Sequence, residues 1–472
     1  MDNSKTQKFM FFDDWPFEYR RGFERKQGYP VKYAGNPIVK PELPHEFGRT
    51  SLYGTILYDE ELKLFKMWYP TFSGLKGPTV SYLCYAESED GISWIKPDLD
   101  VVKGTNIVLD KEHQVRGQTI IYDKKEADPE RRYKLLVRPG HIPYTCSYVS
   151  PDGIHWKMLD SQAINGNSDS HIGLIRHPET DQYMATMRKI KGDRRVWLST
   201  SNDFEHWTDP VLVKELPVEQ SMQTQIYGMQ ISYYGAYILG CVSYYNTFED
   251  DLEGWGKMDG TMDIGLAYSR GGYCWHEDFV NDRFIKLGEE GSWDCGMISP
   301  SSHPILLEDK ILYYYAGMPY HHKPPYNERD LQCIGMAVLR PDGFCYIEAK
   351  ESQAELLTRN FYIDEYGFEM NADAANGEIS VEVCDSDGNA IEGFEFENFH
   401  KIKTDSCHHV LSWDNSPDTS VLLLRAIRFK IKAVNAKIYS VTMINGEENP
   451  RYWKFKEIHY ADPLFDKNIK DA

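Results

Sequence analysis

The segment Tyr148-Val-Ser-Pro-Asp-Gly-Ile-His-Trp156 is one of five related stretches in a chain of 472 residues. We call each stretch a tag, and the other four are Tyr85-Ala-Glu-Ser-Glu-Asp-Gly-Ile-Ser-Trp94, Leu198-Ser-Thr-Ser-Asn-Asp-Phe-Glu-His-Trp207, Ala267-Tyr-Ser-Arg-Gly-Gly-Tyr-Cys-Trp275 and Val338-Leu-Arg-Pro-Asp-Gly-Phe-Cys-Tyr346. The final aromatic residues recur every 51 to 71 positions, which is too long for a helical solenoid but fits a four-stranded sheet with its loops. The repeat therefore predicts a five-bladed β-propeller.

The chemistry of the tag favours a turn at the outer hairpin of each blade. Asp-Gly supplies left-handed turn conformations, and we expect the aromatic residue that follows to cover the edge of the next blade. An apolar strand, a polar turn and a second apolar strand precede each tag, at 54–69, 119–137, 172–187, 228–240 and 303–315. An ordinary β-sandwich would also use Asp-Gly turns, but it gives no reason for this paired periodicity.

Composition and charge argue against some classes of binding partner and indicate the cellular compartment. The formal net charge of −20 argues against nucleic acid and against an anionic membrane, since both require a basic face. Nine scattered cysteines without Cys-x-x-Cys spacing indicate neither a disulfide framework nor a zinc site. No signal peptide or membrane-spanning segment is evident. We expect a cytoplasmic protein without cofactor or metal. The sequence does not decide whether it forms a homo-oligomer.

The tags stop near residue 349, and a different strand pattern begins. Glu378-Ile-Ser-Val-Glu-Val-Cys384 and Ala426-Ile-Arg-Phe-Lys-Ile-Lys432 alternate with a period of two, with Asp387-Gly388 between them. This pattern predicts an all-β chain with three parts. We expect an N-terminal leader at 1–48 that packs on the propeller, a propeller with the catalytic site at 49–349, and a small antiparallel β-sandwich at 350–460.

The layout resembles the five-bladed-propeller glycoside hydrolases, in particular the invertase and levanase group with its C-terminal β-sandwich. The stretches that carry the resemblance are Tyr53-Gly-Thr-Ile-Leu-Tyr-Asp-Glu60 with Lys66-Met-Trp-Tyr69, Asp128-Pro-Glu-Arg-Arg-Tyr-Lys134 and Trp293-Asp-Cys-Gly-Met-Ile298. They look like an uncharacterised bacterial branch of that superfamily. The invertase signature motifs are absent, so the resemblance implies a fold and a carbohydrate substrate but identifies neither the sugar nor the acid pair.

The start of each blade's first strand is the expected place for chemistry, because these strands line the central channel of a propeller. Glycoside cleavage needs one carboxylic acid to protonate the leaving oxygen and one carboxylate to attack or to activate water. Asp169 and Asp294 are the first candidates for these roles, and Glu46 and Glu219 are the alternates. A turn-capping Asp is the structural alternative for each of them.

Residues at the same positions are candidates for substrate binding. Arg49, Arg116 and His171 suit sugar hydroxyls or an anion. Gln118 adds a hydrogen-bonding amide, and Tyr227, Trp293 and Trp255 are candidates for stacking against a sugar ring, although most aromatic residues pack between blades.

Three functions remain open at this point. The first is a hydrolase that cleaves a short oligosaccharide or glycoside, with a weak preference for inversion of configuration. The second is a glycoside phosphorylase, in which a single acid suffices and the arginines and the histidine hold phosphate. The third is a propeller that binds carbohydrate without catalysis.

Overall fold

The computed structural model describes residues 8–73, 80–110, 112–113, 115–139, 144–165, 168, 170–191, 193–216, 224–248, 259–322, 331–362, 367–414, 419–423 and 425–444. The chain divides into two compact units. One unit joins Met1–Gly28 to Asp342–Ala472, and the other is Tyr29–Pro341. Both are built from β-strands, with four short 3-10 helices at Pro44–Glu46, Pro129–Arg131, Phe396–Asn398 and Thr419–Leu422.

The strands follow the chain in three groups. The first group is β1 (Lys8–Met10), β2 (Phe17–Arg21) and β3 (Phe23–Gln27). The second is β4 (Val31–Lys32), β5 (Thr55–Asp59), β6 (Leu64–Phe72), β7 (Ser81–Ser88), β8 (Ile107–Leu109), β9 (Val115–Tyr122), β10 (Tyr133–Pro139), β11 (Thr145–Ser150), β12 (Lys157–Ile164), β13 (Gly173–Arg176), β14 (Tyr183–Lys191), β15 (Asp193–Ser201), β16 (Val211–Lys214), β17 (Thr224–Tyr234), β18 (Tyr237–Thr247), β19 (Gly260–Ser269), β20 (Met297–Pro300), β21 (Ile305–Leu306), β22 (Ile311–Met318) and β23 (Cys333–Leu339). The third is β24 (Cys345–Ala349), β25 (Ala354–Thr358), β26 (Phe361–Tyr362), β27 (Gly367–Asp373), β28 (Glu378–Cys384), β29 (Asp405–Val410), β30 (Ala426–Val434) and β31 (Ala436–Ile444).

The unit Tyr29–Pro341 contains antiparallel sheets whose strands follow one another in chain order. Three four-stranded sheets are β5-β6-β7-β8, β9-β10-β11-β12 and β13-β14-β15-β16. The remaining strands form one path, β17-β18-β19-β20-β22-β23-β4, with β21 beside β22. A single parallel pair, Met262 with Met297, joins β19 to β20. The first strands β5, β9, β13 and β17 contact one another in sequence, so their polar residues come together.

The first four tags form a similar turn after the third strand of their sheets, in which a backbone N–H donates to a serine Oγ. In the first tag the backbone N–H of Gly91 donates to Ser88 Oγ at 2.9 Å, and Asp90 Oδ1 accepts from the N–H groups of Ile92 and Ser93 at 2.7 Å each. The residue at the Gly91 position has φ of 73°, 79°, 68° and 79° in the first four tags. The third tag holds Phe204 there, which adopts the left-handed conformation without being glycine.

In each of the first four tags the residue with positive φ, or its own carbonyl oxygen, meets a side chain from a neighbouring sheet. The first tag meets a residue of β22, and the next three meet residues of the sheet that precedes theirs in the chain. The pairs are Gly91 with Tyr314, Gly153 with Trp68, Phe204 with Lys134, and Gly272 with Met184.

The other unit contains two sheets. One has the order β29-β27-β31-β24-β3, with β1 beside β31, and the other has the order β2-β25-β30-β26, with β28 beside β30. Alternating residues of β30 are buried, as expected for a strand with one face on a core. One apolar cluster holds buried residues from both sheets, including Ile347, Met370, Ile431 and Ile438.

In the part of the chain that the structure describes, no helix is long and apolar enough to cross a bilayer.

Candidate active site

A buried polar cluster forms where the first strands of the sheets meet. Ser302, which follows β20, donates its hydroxyl to the carbonyl oxygen of Gly54 at 3.0 Å. Its Oγ also lies 2.9 Å from Thr55 Oγ1, 3.0 Å from Thr119 Oγ1 and 2.9 Å from His171 Nε2. These residues come from four different sheets or from the segments that enter them. Polar side chains from four sheets therefore meet in one buried cluster.

His171 sits inside this cluster as a neutral ring. Burial, and then the neighbouring His303, lower its pKa to about 3. The ring of Tyr53 stacks against it, with centroids 5.5 Å apart, and the amide of Gln230 donates to its carbonyl oxygen at 3.2 Å. A ring held in this state does not carry a proton to substrate at neutral pH, so His171 suits hydrogen bonding rather than acid catalysis.

Two arginines face each other beside this cluster. Arg116 in β9 and Arg138 in β10 are directly opposed in the antiparallel ladder, where side chains of paired residues lie on one face of the sheet. The register shifts between Leu136 and Arg138, and such a bulge re-aims the side chain that follows it. Burial, and then the charges of Arg116 and Arg188, lower the pKa of Arg138.

The backbone explains why the arginines reach the polar cluster. Gly117 has a φ of 53°, and a Cβ at this position would overlap the carbonyl oxygen of Ser170. Strand β9 therefore approaches the segment before β13 more closely than a side chain would allow. This close approach places Arg116 next to the residues that precede His171.

Arg188 and Arg194 extend the positive region along β14 and β15. The Arg188 guanidinium lies 4.4 Å from the centroid of Tyr227 and donates to the Tyr227 carbonyl oxygen at 3.2 Å. Arg194 is buried, donates to Gln225 Oε1, and lies 5.7 Å from the Tyr227 ring. Cations over aromatic faces are stabilised by the ring quadrupole. The cluster therefore combines several guanidinium groups with aromatic surface.

Two tyrosines complete the arrangement. Burial raises the pKa of Tyr53 well above its usual value, Tyr227 adds to this effect, and Arg188 and Arg194 oppose it. The hydroxyl of Tyr227 lies 3.1 Å from His322 Nε2. Tyr53 therefore keeps its proton, and the two phenols offer hydrogen-bond donors beside the arginines.

Asp294 occupies a separate buried ion pair. Its Oδ2 accepts from Lys32 Nζ at 2.6 Å and from the Tyr315 hydroxyl at 3.0 Å, and its Oδ1 accepts from Ser292 at 3.0 Å. Lys32 belongs to β4, which pairs with β23. These contacts connect strand β4 to β22 within the same sheet.

Both carboxylate oxygens of Glu46 also have hydrogen-bond or ion-pair partners. Its carboxylate accepts from Tyr69 at 2.7 Å, from Lys96 at 2.8 Å, and from the backbone N–H groups of Glu42 and Leu43 at 2.6 and 2.8 Å. Burial opposes ionisation of Glu46, but the hydrogen bonds from Leu43 and Lys96 lower its pKa below the usual value. This is the arrangement of a carboxylate that anchors a loop.

The remaining candidates from the sequence fall into two groups. Gln118 is buried, and its amide donates to the Trp68 carbonyl oxygen at 3.3 Å. Arg49 pairs with Gln332 through an isolated parallel β-bridge of the backbone. The Trp293 ring stacks on the Tyr315 ring. Asp169, Glu219 and Trp255 lie outside the described residues. The structure thus brings Arg116, Gln118, His171 and Tyr227 into one region, while Glu46, Asp294 and Trp293 lie in other contacts.

Sequence reasoning missed Arg138, Arg188 and Arg194. It examined the start of each first strand, whereas these arginines lie toward the end of a second strand or the start of a third. An antiparallel hairpin places the end of its second strand beside the start of its first. The run Leu135-Leu-Val-Arg138, in which a charge directly follows buried apolar residues, was the available signal.

Comparison with solved structures gives similar chains among carbohydrate-active proteins. An N-acetylgalactosamine deacetylase from F. plautii, in complex with blood group B trisaccharide, has 12% identity and a TM-score of 0.48, over 68% of this chain and 97% of that chain. A β-1,2-mannobiose phosphorylase from Listeria innocua has 12% identity and a TM-score of 0.46, over 66% and 96%. The catalytic domain of a Coprinopsis cinerea α-L-arabinofuranosidase has 12% identity and a TM-score of 0.45, over 66% and 97%.

By name, these structures are a deacetylase, a phosphorylase and an arabinofuranosidase. Similarity at this level assigns no residue role and no activity to this chain. No protein-family model and no curated protein matches the sequence.

Proposed function

We propose that the protein is a glycoside hydrolase that cleaves a short oligosaccharide or glycoside at the meeting point of the first strands. The observation that carries the proposal is the cluster of Arg116, Arg138, Arg188, Tyr53 and Tyr227 at this point. Its guanidinium groups and phenols supply donors for sugar oxygens. A purely structural channel has no need for so much positive charge in an acidic protein.

The proposal also includes the detailed architecture of the two units. We propose that the sheets of the larger unit are the blades of a five-bladed propeller, with a β-sandwich C-terminal to it. The sequence predicts parts at 1–48, 49–349 and 350–460, whereas β1, β2 and β3 pair with β31, β25 and β24 of the smaller unit. Support comes from the repeated tag contacts, in which the bond from Tyr314 to Gly91 connects the last sheet to the first.

Asp169 and Asp294 are the proposed acid and base. Asp294 Oδ2 lies 2.6 Å from the ammonium nitrogen of Lys32. Glu219 and Glu46 are the alternates. The four bonds around Glu46 favour a structural role over a catalytic one for that residue.

A glycoside phosphorylase is the second candidate, since the arginine cluster also suits an inorganic anion. Phosphorolysis needs one acid and an anion pocket, and guanidinium forks bind phosphate well. The neutral His171 could donate a further hydrogen bond to such an anion.

An activity panel with and without inorganic phosphate tests the proposal. Purified protein is incubated with aryl glycosides and oligosaccharides, and the products are followed by NMR. We expect phosphate-independent release of free sugar with inverted configuration at the anomeric carbon. Formation of a sugar 1-phosphate only when phosphate is present would establish the second candidate instead. Sugar binding without any cleavage would contradict both and support a carbohydrate-binding protein.

The cytoplasm is the proposed location. All nine cysteines are free thiols, which suits a reducing compartment. The proposed partner is a carbohydrate substrate, with neither nucleic acid nor membrane as a binding partner, and a homo-oligomer stays a prediction.

A further inference from the structure

The opposed arginines Arg116 and Arg138 pose a physical problem for the unliganded protein. Like charges directly across an antiparallel pair destabilise the sheet. Arg188 adds a third guanidinium group whose charge acts on Arg138. A fold that retains this repulsion stores an electrostatic cost that binding of an anion would relieve.

Arg138 also has unused hydrogen-bonding capacity. Its Nε is buried and has no hydrogen-bond partner among the residues described. A buried donor left unsatisfied costs free energy, which a ligand oxygen can recover. Both side chains are half-buried, so each keeps part of its surface accessible.

We infer that Arg116 and Arg138 bind the carboxylate of an acidic sugar in the substrate, such as a uronic acid residue. Two guanidinium forks from opposed strands match a planar carboxylate, which accepts bidentate pairs of hydrogen bonds. Tyr227, whose ring lies 4.4 Å from the Arg188 guanidinium and whose hydroxyl lies 3.1 Å from His322 Nε2, borders the same arginine cluster. This inference rests on the proposed function, because it names the substrate class of the same site.

Free phosphate is the other oxyanion that could occupy this position. Phosphate sites commonly draw on backbone N–H groups at helix N-termini or in glycine-rich turns. The arginines described here lie instead in strands β9, β10 and β14. The geometry therefore favours a carboxylate carried by the substrate.

Calorimetric titration of the full-length protein tests the inference without requiring catalysis. Glucuronic and galacturonic acid are titrated beside glucose and galactose, and inorganic phosphate is titrated separately. We expect each uronic acid to bind at least about 10-fold more tightly than its neutral counterpart. The preference should fall by roughly 10- to 100-fold in Arg116→Gln and Arg138→Gln, the range for loss of a charged hydrogen bond. Arg428→Gln, in the other unit, is the matched control and should keep the preference.

Thermal unfolding of the variants separates a binding role from a structural one. Arg116→Gln removes one of two opposed positive charges, so its ligand-free Tm should equal or exceed that of the wild type. A much lower Tm would indicate a structural role and would overturn the inference. Equal binding of neutral and acidic sugars, or binding of phosphate alone, would overturn it as well. Cleavage of neutral glycosides with no uronate preference would leave the proposed function standing and remove only this inference.

Discussion

Tyr314 donates its phenolic hydrogen to the carbonyl oxygen of Gly91, 2.9 Å away and 223 positions earlier in the chain. Tyr314 lies in β22 and Gly91 in the first tag, so this bond connects the last sheet of the larger unit to its first. The indole of Trp68 makes the corresponding bond to the carbonyl oxygen of Gly153 at 2.6 Å. The same contact therefore joins sheets that are adjacent in the chain and sheets that are distant in it.

Replacement of Gly91 by alanine should destabilise the unit through this contact. A Cβ at Gly91 would lie 2.5 Å from the Tyr314 hydroxyl oxygen and 3.3 Å from the Phe65 ring. Gly104→Ala is the matched control, because Gly104 has a similar φ of 79° and nothing within 4 Å of its Cβ position. We expect Gly91→Ala to lower the free energy of unfolding in urea by about 1–3 kcal/mol more than Gly104→Ala. Equal losses would mean that the backbone conformation alone accounts for the effect.

Substitution of Asp294 tests its proposed role against its ion pair. If Asp294 acts as base or nucleophile, Asp294→Asn should lower turnover by roughly two to four orders of magnitude. Lys32→Met is the control, since it removes the ammonium partner and leaves the carboxylate in place. Turnover is measured for folded protein at a temperature below both melting transitions. Unchanged turnover in Asp294→Asn would remove Asp294 from the mechanism, and Asp169→Asn would then be compared with Glu219→Gln in the same assay.

The ion pair between Lys214 and Glu277 should show strong coupling. Lys214 lies in β16 and Glu277 follows β19, their charged atoms are 2.6 Å apart, and both side chains are almost fully buried. Lys214→Met should destabilise the protein by about 3–5 kcal/mol, because it leaves a buried carboxylate without its cation. The double variant Lys214→Met/Glu277→Leu should recover most of this loss in a denaturant titration. Additive losses in the double variant would contradict the coupling.

Stability in mild acid should depend on His171. Burial lowers its pKa to about 3, so between the usual histidine pKa and pH 3 the unfolded chain binds a proton that the folded ring does not. Its contribution to stability is therefore present above the usual pKa and is lost as pH falls below it. His171→Asn should flatten the decline of Tm between pH 6.5 and 4.

His206 provides a control with the opposite sign. Asp203 raises the pKa of His206, so its contribution is present at low pH and is lost as pH rises through the folded value. His206→Asn should not flatten the decline of Tm in acid. If both variants gave the same slope as the wild type, other groups would control acid unfolding.

More of the fold than of the candidate site could be predicted from the sequence. The tags could be recognised because the bonds that form the turn, among Ser88, Asp90 and Gly91, join a few consecutive residues. Glu46 and Asp294 looked equivalent to catalytic carboxylates because their cations, Lys96 and Lys32, are distant in the sequence. Nothing local marks such a pairing.

The arginine cluster shows the same limit of prediction from local sequence. Arg116 was predicted from its place before an apolar strand, but its significance depends on Arg138, which faces it only through the register of β9 and β10. A bulge sets that register, and no pattern in the sequence locates the bulge. The local tag motif could therefore be predicted from the sequence, whereas contacts that depend on long-range strand pairing could not.

The smaller unit is assembled from both ends of the chain, since β3 pairs with β24 and β2 with β25. During synthesis on the ribosome, strands β2 and β3 emerge more than 300 residues before their partners. The larger unit, which is continuous in sequence, can fold while these strands wait unpaired. Exposed strand edges invite association with other chains. The nascent protein is therefore most vulnerable to aggregation, and most dependent on chaperones, in the interval before β24 and β25 leave the ribosome.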